Sequence, residues 1–180
     1  MKGKTGKSVI VDGLKLIAYL AVVFLLSYLL VRYIGQRTVV IGASMEGTLQ
    51  DADNLIVDKI SYRFHDPKRF DIIVFPYSEQ ENYIKRIIGL PGETVFIDED
   101  GVIYIDGEEL EESYGREVIQ DAGVAASPIT LGADEYFVLG DNRNNSMDSR
   151  DASVGAVKRK EIIGRAWIRI YPFDKIKRLT

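Results

Sequence analysis

Three stretches of the chain carry side chains able to do chemistry in combination. The first is VVIGASMEGTL, residues 39 to 49, an apolar run leading into Ser44. A serine hydroxyl is a weak nucleophile at neutral pH and needs a partner that takes its proton. The usual serine motifs do not supply one. GASMEG departs from G-x-S-x-G because Glu46 stands at the second glycine position, and from S-x-x-K because Gly47 stands at the lysine position. The single histidine, His65, lies in the charged stretch SYRFHDPKRF, which reads as a solvated loop, so a Ser-His-Asp triad has one poor candidate for its base. That lone histidine also excludes a His-rich metal site. The lack of cysteine excludes a thiol nucleophile, a disulfide framework and Cys-ligated zinc.

What is left for a base is a carboxylate, or a lysine whose charged form has been made unfavourable. The second stretch, NYIKRIIGLPGE, offers Lys85 inside an apolar run. In a strand, Tyr83, Lys85 and Ile87 share one face and Ile84, Arg86 and Ile88 the other, so one cation of the pair points toward an apolar face. Burial lowers a lysine pKa by up to about 3 to 5 units, and a neighbouring Arg86 pushes the same way. On position alone, a lysine snorkelling from an edge strand is the simpler account. The third stretch is GDNRNNSMDSRD, residues 140 to 151. Its spacing fails as a calcium loop, because Ser146 replaces the required glycine and Ala152 the terminal glutamate. Asp141, Arg143, Asp148 and Arg150 form either an ion-pair network that fixes a site or a solvated loop.

These residues need a scaffold. NLIVDKI, DIIVF, NYIKRIIGL, TVFID, VIYID, EYFVLG and GRAWIRIY read as strands broken by Gly, Pro, Asp and Asn, with a hairpin turn between TVFID and VIYID. No useful helical periodicity occurs beyond residue 35. The expectation is a mainly antiparallel β domain over 36–180, with 93–135 as a small inserted hairpin and loop region. RAWIRIYPF reads as a buried strand, with Trp167 and Phe173 in it rather than in lipid.

Before that domain, Leu16 to Val31 is an uncharged run that covers roughly 24 Å as a helix, and flanking Lys and Arg stems extend its reach. VRYIGQRT has no A-x-A-like cleavage site, which favours a retained anchor over a removed leader. Lys2, Lys4, Lys7 and Lys15 against one Asp12 keep the amino terminus cytoplasmic. The division is therefore a basic tail (1–14), a transmembrane anchor (15–35) and an extracytoplasmic domain. With 180 residues, a net charge of −4 and dispersed basic residues, neither a second full domain nor a nucleic-acid footprint is expected.

Taken together, these stretches resemble the bacterial type I signal peptidases of Gram-positive pattern, membrane-bound Ser/Lys proteases that remove signal peptides from exported preproteins. GASMEGTL resembles their G-x-S-M-x-P-T-L box, RFDIIVFPY their R-G-D-I-V-V-F segment, YIKRIIGLPGE their lysine box and GDNRNNSMDSR their G-D-N-R-x-x-S-x-D-S-R box. The resemblance implies an antiparallel β catalytic domain with one amino-terminal transmembrane helix, in the bacterial cell membrane and near the secretion translocon. It implies Ser44 as nucleophile, Lys85 as general base and no metal or cofactor. It further implies that Ser146 orients the lysine amine, that Arg86, Asp141, Asp148 and Arg150 support the site, and that Asp148 pairs with Arg86. The backbone N–H of Ser44 would serve the oxyanion, since Gly42 stands where some relatives place a second donor. Val40, Met45, Tyr83 and Ile84 would line shallow pockets that admit small side chains and so select A-x-A-like sequences. Two departures stand out: Gly47 for the family proline and Phe70 for the glycine of R-G-D. A non-catalytic relative that binds secreted subunits is the alternative, and the presence of both Ser44 and Lys85 counts against it.

Overall fold

The computed structural model describes residues 6–33, 35–78 and 81–179; Lys2 and Lys4 of the basic tail lie outside them. The chain opens with helix α1, Gly6–Tyr33. Among the described residues its span Ile10–Leu29 is unburied, leaving Ile17 and Leu26 open on opposite sides of the helix. A helix apolar all round is suited to lipid rather than to one face of a core.

The strands follow as β1 (Gly35–Val39), β2 (Asn54–Asp58), β3 (Ile72–Pro76), β4 (Asn82–Gly89), β5 (Thr94–Ile97), β6 (Ile103–Ile105), β7 (Glu108–Glu109), β8 (Ile129–Thr130), β9 (Glu135–Leu139), β10 (Val157–Lys158), β11 (Gly164–Tyr171) and β12 (Lys177–Arg178). One sheet runs β1-β2-β11-β3-β4-β9-β10, with β12 alongside β11, and a smaller one runs β7-β6-β5-β8. Every described pairing is antiparallel. The fold is thus mainly antiparallel β with a single amino-terminal helix, the class expected from the alternating apolar runs.

Period-two alternation builds the core. In β3, Ile72 and Val74 pack with Met45, Leu49 and Leu55 on one side, while Ile73 and Phe75 pack with Ile87, Tyr136 and Val138 on the other. Both faces of this strand are therefore covered. Burying each such aliphatic side chain contributes about 1.5–3 kcal/mol. A third cluster joins the sheets: Ile88, Phe137 and Leu139 from the large one meet Val95, Ile97 and Ile103 from the small one. Between β7 and β8 the chain makes a long excursion that returns to pack Ile119 and Ala125 into that cluster.

Two local features depart from expectation. In β11, Trp167 is 39% exposed, and Phe173 beyond it is 77% exposed, so neither is part of a buried strand. Trp167 alternates with buried Ala166, and Phe173 lies past the strand's end at Tyr171; β11 also shifts register against β2, between Ala166 and Ile168 and between Arg169 and Tyr171. A shift of one residue moves side chains to the opposite face. Phe70 adopts φ 71°, a left-handed conformation that costs a residue with a Cβ about 1–2 kcal/mol.

Candidate active site

Ser44 sits in the turn that follows β1. Buried Val40 fixes the approach: its N–H donates to Asp53 and its carbonyl accepts from Ala52. Beyond Ser44, Met45 and Leu49 are 1% and 0% exposed and act as plugs in the core. The Thr48 and Leu49 N–H groups both donate to the Met45 carbonyl, closing a tight turn through Gly47 at φ 108°. With both flanks pinned, the serine between them has little freedom.

Lys85 comes from β4, opposite Ile73 of β3, and is 3% exposed. Its Nζ donates to Ser44 Oγ at 2.7 Å and lies 4.9 Å from the Tyr83 ring centroid. Burial pulls its pKa down from 10.5 to about 8, against the opposing pull of the Asp148 and Asp141 carboxylates. An amine so held is uncharged over part of the accessible pH range, and its lone pair can take a hydroxyl proton.

Arg86, the next residue, points the other way into a dry compartment. It is 0% exposed, as is Asp141, and the two are joined twice, Nε to Oδ1 at 2.9 Å and Nη2 to Oδ2 at 2.8 Å. Nη1 donates to the Phe70 carbonyl, and the guanidinium carbon lies 3.7 Å from the Tyr114 ring centroid. Asp148 is not the partner of Arg86. It pairs with Arg150 through Nε at 2.9 Å and Nη2 at 3.0 Å, and accepts the Gly140 N–H. The loop sequence holds three carboxylates, of which Asp141 and Asp148 are buried, and does not specify which of these two reaches the strand. Asp141, directly after β9 and Gly140, is next to β4 in the sheet, whereas Asp148 lies on the returning limb of the loop.

Ser146 also differs from expectation. Its Oγ is buried with no hydrogen-bond partner, and the bond to the lysine amine is not made. Nζ is directed at Ser44, while the Ser146 hydroxyl lies over Gly140. There the absence of a side chain makes room: a Cβ on Gly140 would sit 2.2 Å from Ser146 Oγ and 2.5 Å from the Ser44 carbonyl oxygen. Asn142 is a residue that motif reading passed over. Its N–H donates to the Ser44 carbonyl and its Nδ2 to the Ala43 carbonyl, both at 3.0 Å, which ties the 140–151 loop to the serine's backbone. Its place beside Asp141 in GDNR was the available signal.

A cleft of about 420 Å³ runs past Ser44 and Lys85. Val40, Met45, Tyr83 and Ile84 all border it, as do Ile41 and Met147, which the sequence reading did not single out. Tyr83 is braced by a ring stacked at 4.3 Å, Tyr77, and donates its hydroxyl to Met147 Sδ. The cleft is open, mainly apolar and near the small end of ligand sites, with Ser44 and Lys85 among its polar lining residues.

Comparison with known proteins adds an independent line. A family profile described as signal peptidase, peptidase S26, matches residues 13–171. A signal peptidase I from Leptolyngbya laminosa is 40% identical over 181 residues, covering 96% of this chain and 85% of that protein. A signal peptidase I P from Bacillus subtilis subsp. natto is 37% identical over 186 residues, covering 98% and 97%. A solved signal peptidase I from Enterococcus faecalis V583 is 37% identical, with 56% of this chain and 97% of that chain covered at a TM-score of 0.44.

Proposed function

This chain belongs to the peptidase S26 family of signal peptidases, and on that premise we propose that it is a membrane-anchored serine endopeptidase that removes amino-terminal signal peptides from exported preproteins. Ser44 is the nucleophile and Lys85 the general base. The observation that carries the reading is the 2.7 Å separation of Lys85 Nζ and Ser44 Oγ, with the lysine buried and the serine open to the cleft.

In the reaction, the neutral amine accepts the Ser44 proton as Oγ attacks the carbonyl before the cleavage site. The backbone N–H of Ser44 stabilises the oxyanion. Collapse of the tetrahedral species expels the new amino terminus, which takes the proton from Lys85. Water then attacks the acyl-enzyme with Lys85 again as base, releasing the signal peptide. Arg86, Asp141, Asp148 and Arg150 keep β4 and the 140–151 loop in register with the serine turn. Ser146, whose buried Oγ makes no hydrogen bond, orients the amine during turnover. Val40, Met45, Tyr83 and Ile84 line the cleft, which favours small apolar residues at the first and third positions before the cleavage site.

The anchor reading rests on α1, whose apolar span Ile10–Leu29 overlaps the 15–35 segment assigned to the anchor and starts about a turn before it. By the positive-inside rule residues 1–14 are cytoplasmic, 15–35 cross the bilayer and 36–180 work outside, with 93–135 as an insertion carrying the small sheet. β1 begins at Gly35, two residues after α1 ends at Tyr33, so the cleft stays close to the lipid, within reach of substrates leaving a translocon.

The test is processing of a purified preprotein in detergent or liposomes. Ser44→Ala and Lys85→Ala are each expected to abolish cleavage while the domain stays folded, and Lys85→Arg to fail as well because a guanidinium does not deprotonate. Full activity in any of the three rejects the assignment.

A further inference from the structure

The departure at Phe70 points to a residue that the dyad chemistry does not use. Phe70 occupies the third position of a turn closed by the Asp71 N–H and the Lys68 carbonyl, where a left-handed φ favours glycine. Its ring packs 5.0 Å from the ring of Tyr114, which comes from the excursion between β7 and β8. Tyr114 in turn covers the flat face of Arg86, whose edges are taken by Asp141, the Phe70 carbonyl and the Thr48 hydroxyl. The excursion is itself held in place: Glu112 pairs with Arg143 of the 140–151 loop at 2.8 Å, and Arg116 donates its N–H to the Asp141 carbonyl and pairs with Glu46. So the ring is delivered to the guanidinium by a segment latched on both sides of it.

We propose that Tyr114, backed by Phe70, is a positioning residue for the peptidase reaction: it closes the Arg86–Asp141 pair to water and so keeps Asp141 neutralised beside the Ser44–Lys85 site. The proposal rests on the dyad reading given above. The groups that bear on Lys85 are the Ser44 hydroxyl from the turn, the Tyr83 ring from its own strand, and Asp141 and Asp148 from the 140–151 loop, each carboxylate matched by an arginine. On β3, its register partner is the uncharged Ile73. Removing the ring lets water reach Arg86 and loosens its hold on Asp141. A less compensated carboxylate near Lys85 favours the protonated lysine.

The experiment is the pH dependence of kcat/KM for the full chain in detergent, with a preprotein carrying an Ala-x-Ala cleavage sequence. Tyr114→Ala is expected to move the acid limb up by about one pH unit, giving roughly a tenfold loss at pH 7 and near wild-type activity on the alkaline plateau. Tyr114→Phe, which keeps the ring face, should follow wild type, and Phe70→Gly should shift the limb in the same direction by less. A limb that stays in place in Tyr114→Ala, whether or not the whole profile falls, overturns the proposal. Should Tyr114→Ala fail to fold, Tyr114→Gln, polar and of similar length, carries the same comparison. Lys85→Ala separates the two readings: if it is inactive at every pH while the Tyr114→Ala limb is unmoved, only the role of Tyr114 is lost. If it cleaves, the dyad itself is wrong.

Discussion

Replacing Lys85 by methionine should make the protein inactive and, at neutral pH, more stable. The side chains are similar in length, and methionine carries no charge into a site that leaves Lys85 only 3% exposed. Burial lowers the lysine pKa from 10.5 to about 8. At about 1.36 kcal/mol per pH unit, that drop corresponds to roughly 3 kcal/mol of disfavoured charge. The sign follows from proton counting. Between pH 8 and 10.5 the unfolded chain keeps the lysine proton that the folded chain has released, so wild-type stability rises with pH across this window. Below pH 8 both states are protonated, and the folded one bears the whole penalty. Lys85→Met removes the penalty, so its advantage is largest below pH 8, and about 2 kcal/mol of it should be gone by pH 9.5. Loss of the bond to Ser44 subtracts a constant of about 1 kcal/mol, because that hydroxyl is open to water in the cleft. The assay is urea unfolding of both full-length proteins in detergent, followed by Trp167 fluorescence at pH 7 and pH 9.5. Tyrosine and carboxylate titrations are common to both chains and cancel in the difference. A stability difference that does not change between these pH values would refute the claim that the amine is held dry and readily deprotonated.

Arg86→Met should cost about 3–5 kcal/mol in the same unfolding assay, because it strands Asp141 at zero exposure, whereas Arg86→Met combined with Asp141→Leu should recover most of the loss. Gly140→Ala places a Cβ 2.2 Å from Ser146 Oγ and 2.5 Å from the Ser44 carbonyl oxygen, so kcat/KM should fall about a hundredfold or more, for only about 1–3 kcal/mol of stability. Equal loss of folding and activity would count against that account. Gly47→Pro, which restores the family pattern in the sequence, should lower both melting temperature and cleavage rate, since the turn needs φ 108° and a proline ring holds φ near −65°. An unchanged protein would mean that the turn has a second conformation.

What could be read from the sequence, and what could not, divides along physical lines. The strands were legible because segments such as β3 alternate between two buried clusters with period two, a pattern that burial writes directly into residue type. The adjacency of Ser44 and Lys85 was inferable from stretches 41 residues apart only through the family resemblance, since nothing local ties a turn after β1 to the middle of β4. Pairings inside the polar loop were not legible. Asp141 and Asp148 are chemically equivalent choices for Arg86, and which one reaches it is set by where β9 ends in the sheet. Exposure past β11 was hidden for another reason: the apolar character of RAWIRIYPF continues beyond the strand's end at Tyr171, so Phe173 reads as part of a strand although it lies in the turn that follows. Tyr114 lies in an irregular excursion whose composition says only that it is polar, and its role appears once Phe70 and Arg86 are seen on either side of its ring.

The loop that completes the site faces two demands that conflict. It must bind backbone groups around Ser44 and β9 firmly enough to fix them, and carboxylates and amides are the groups suited to that work: Asp148 accepts the Gly140 N–H and Asn142 grips residues 43 and 44. Yet any unopposed negative charge near Lys85 favours its protonated form and defeats a general base. The structure resolves the conflict by giving each buried carboxylate its own doubly bonded guanidinium, Arg86 for Asp141 and Arg150 for Asp148. The fields of the carboxylates are then largely cancelled at close range, and burial is left as the dominant influence on the amine. That ordering agrees with the net lowering of the Lys85 pKa despite two acids nearby. It also explains why arginine suits both positions: a lysine there would make one bond instead of two, and could itself lose a proton when buried.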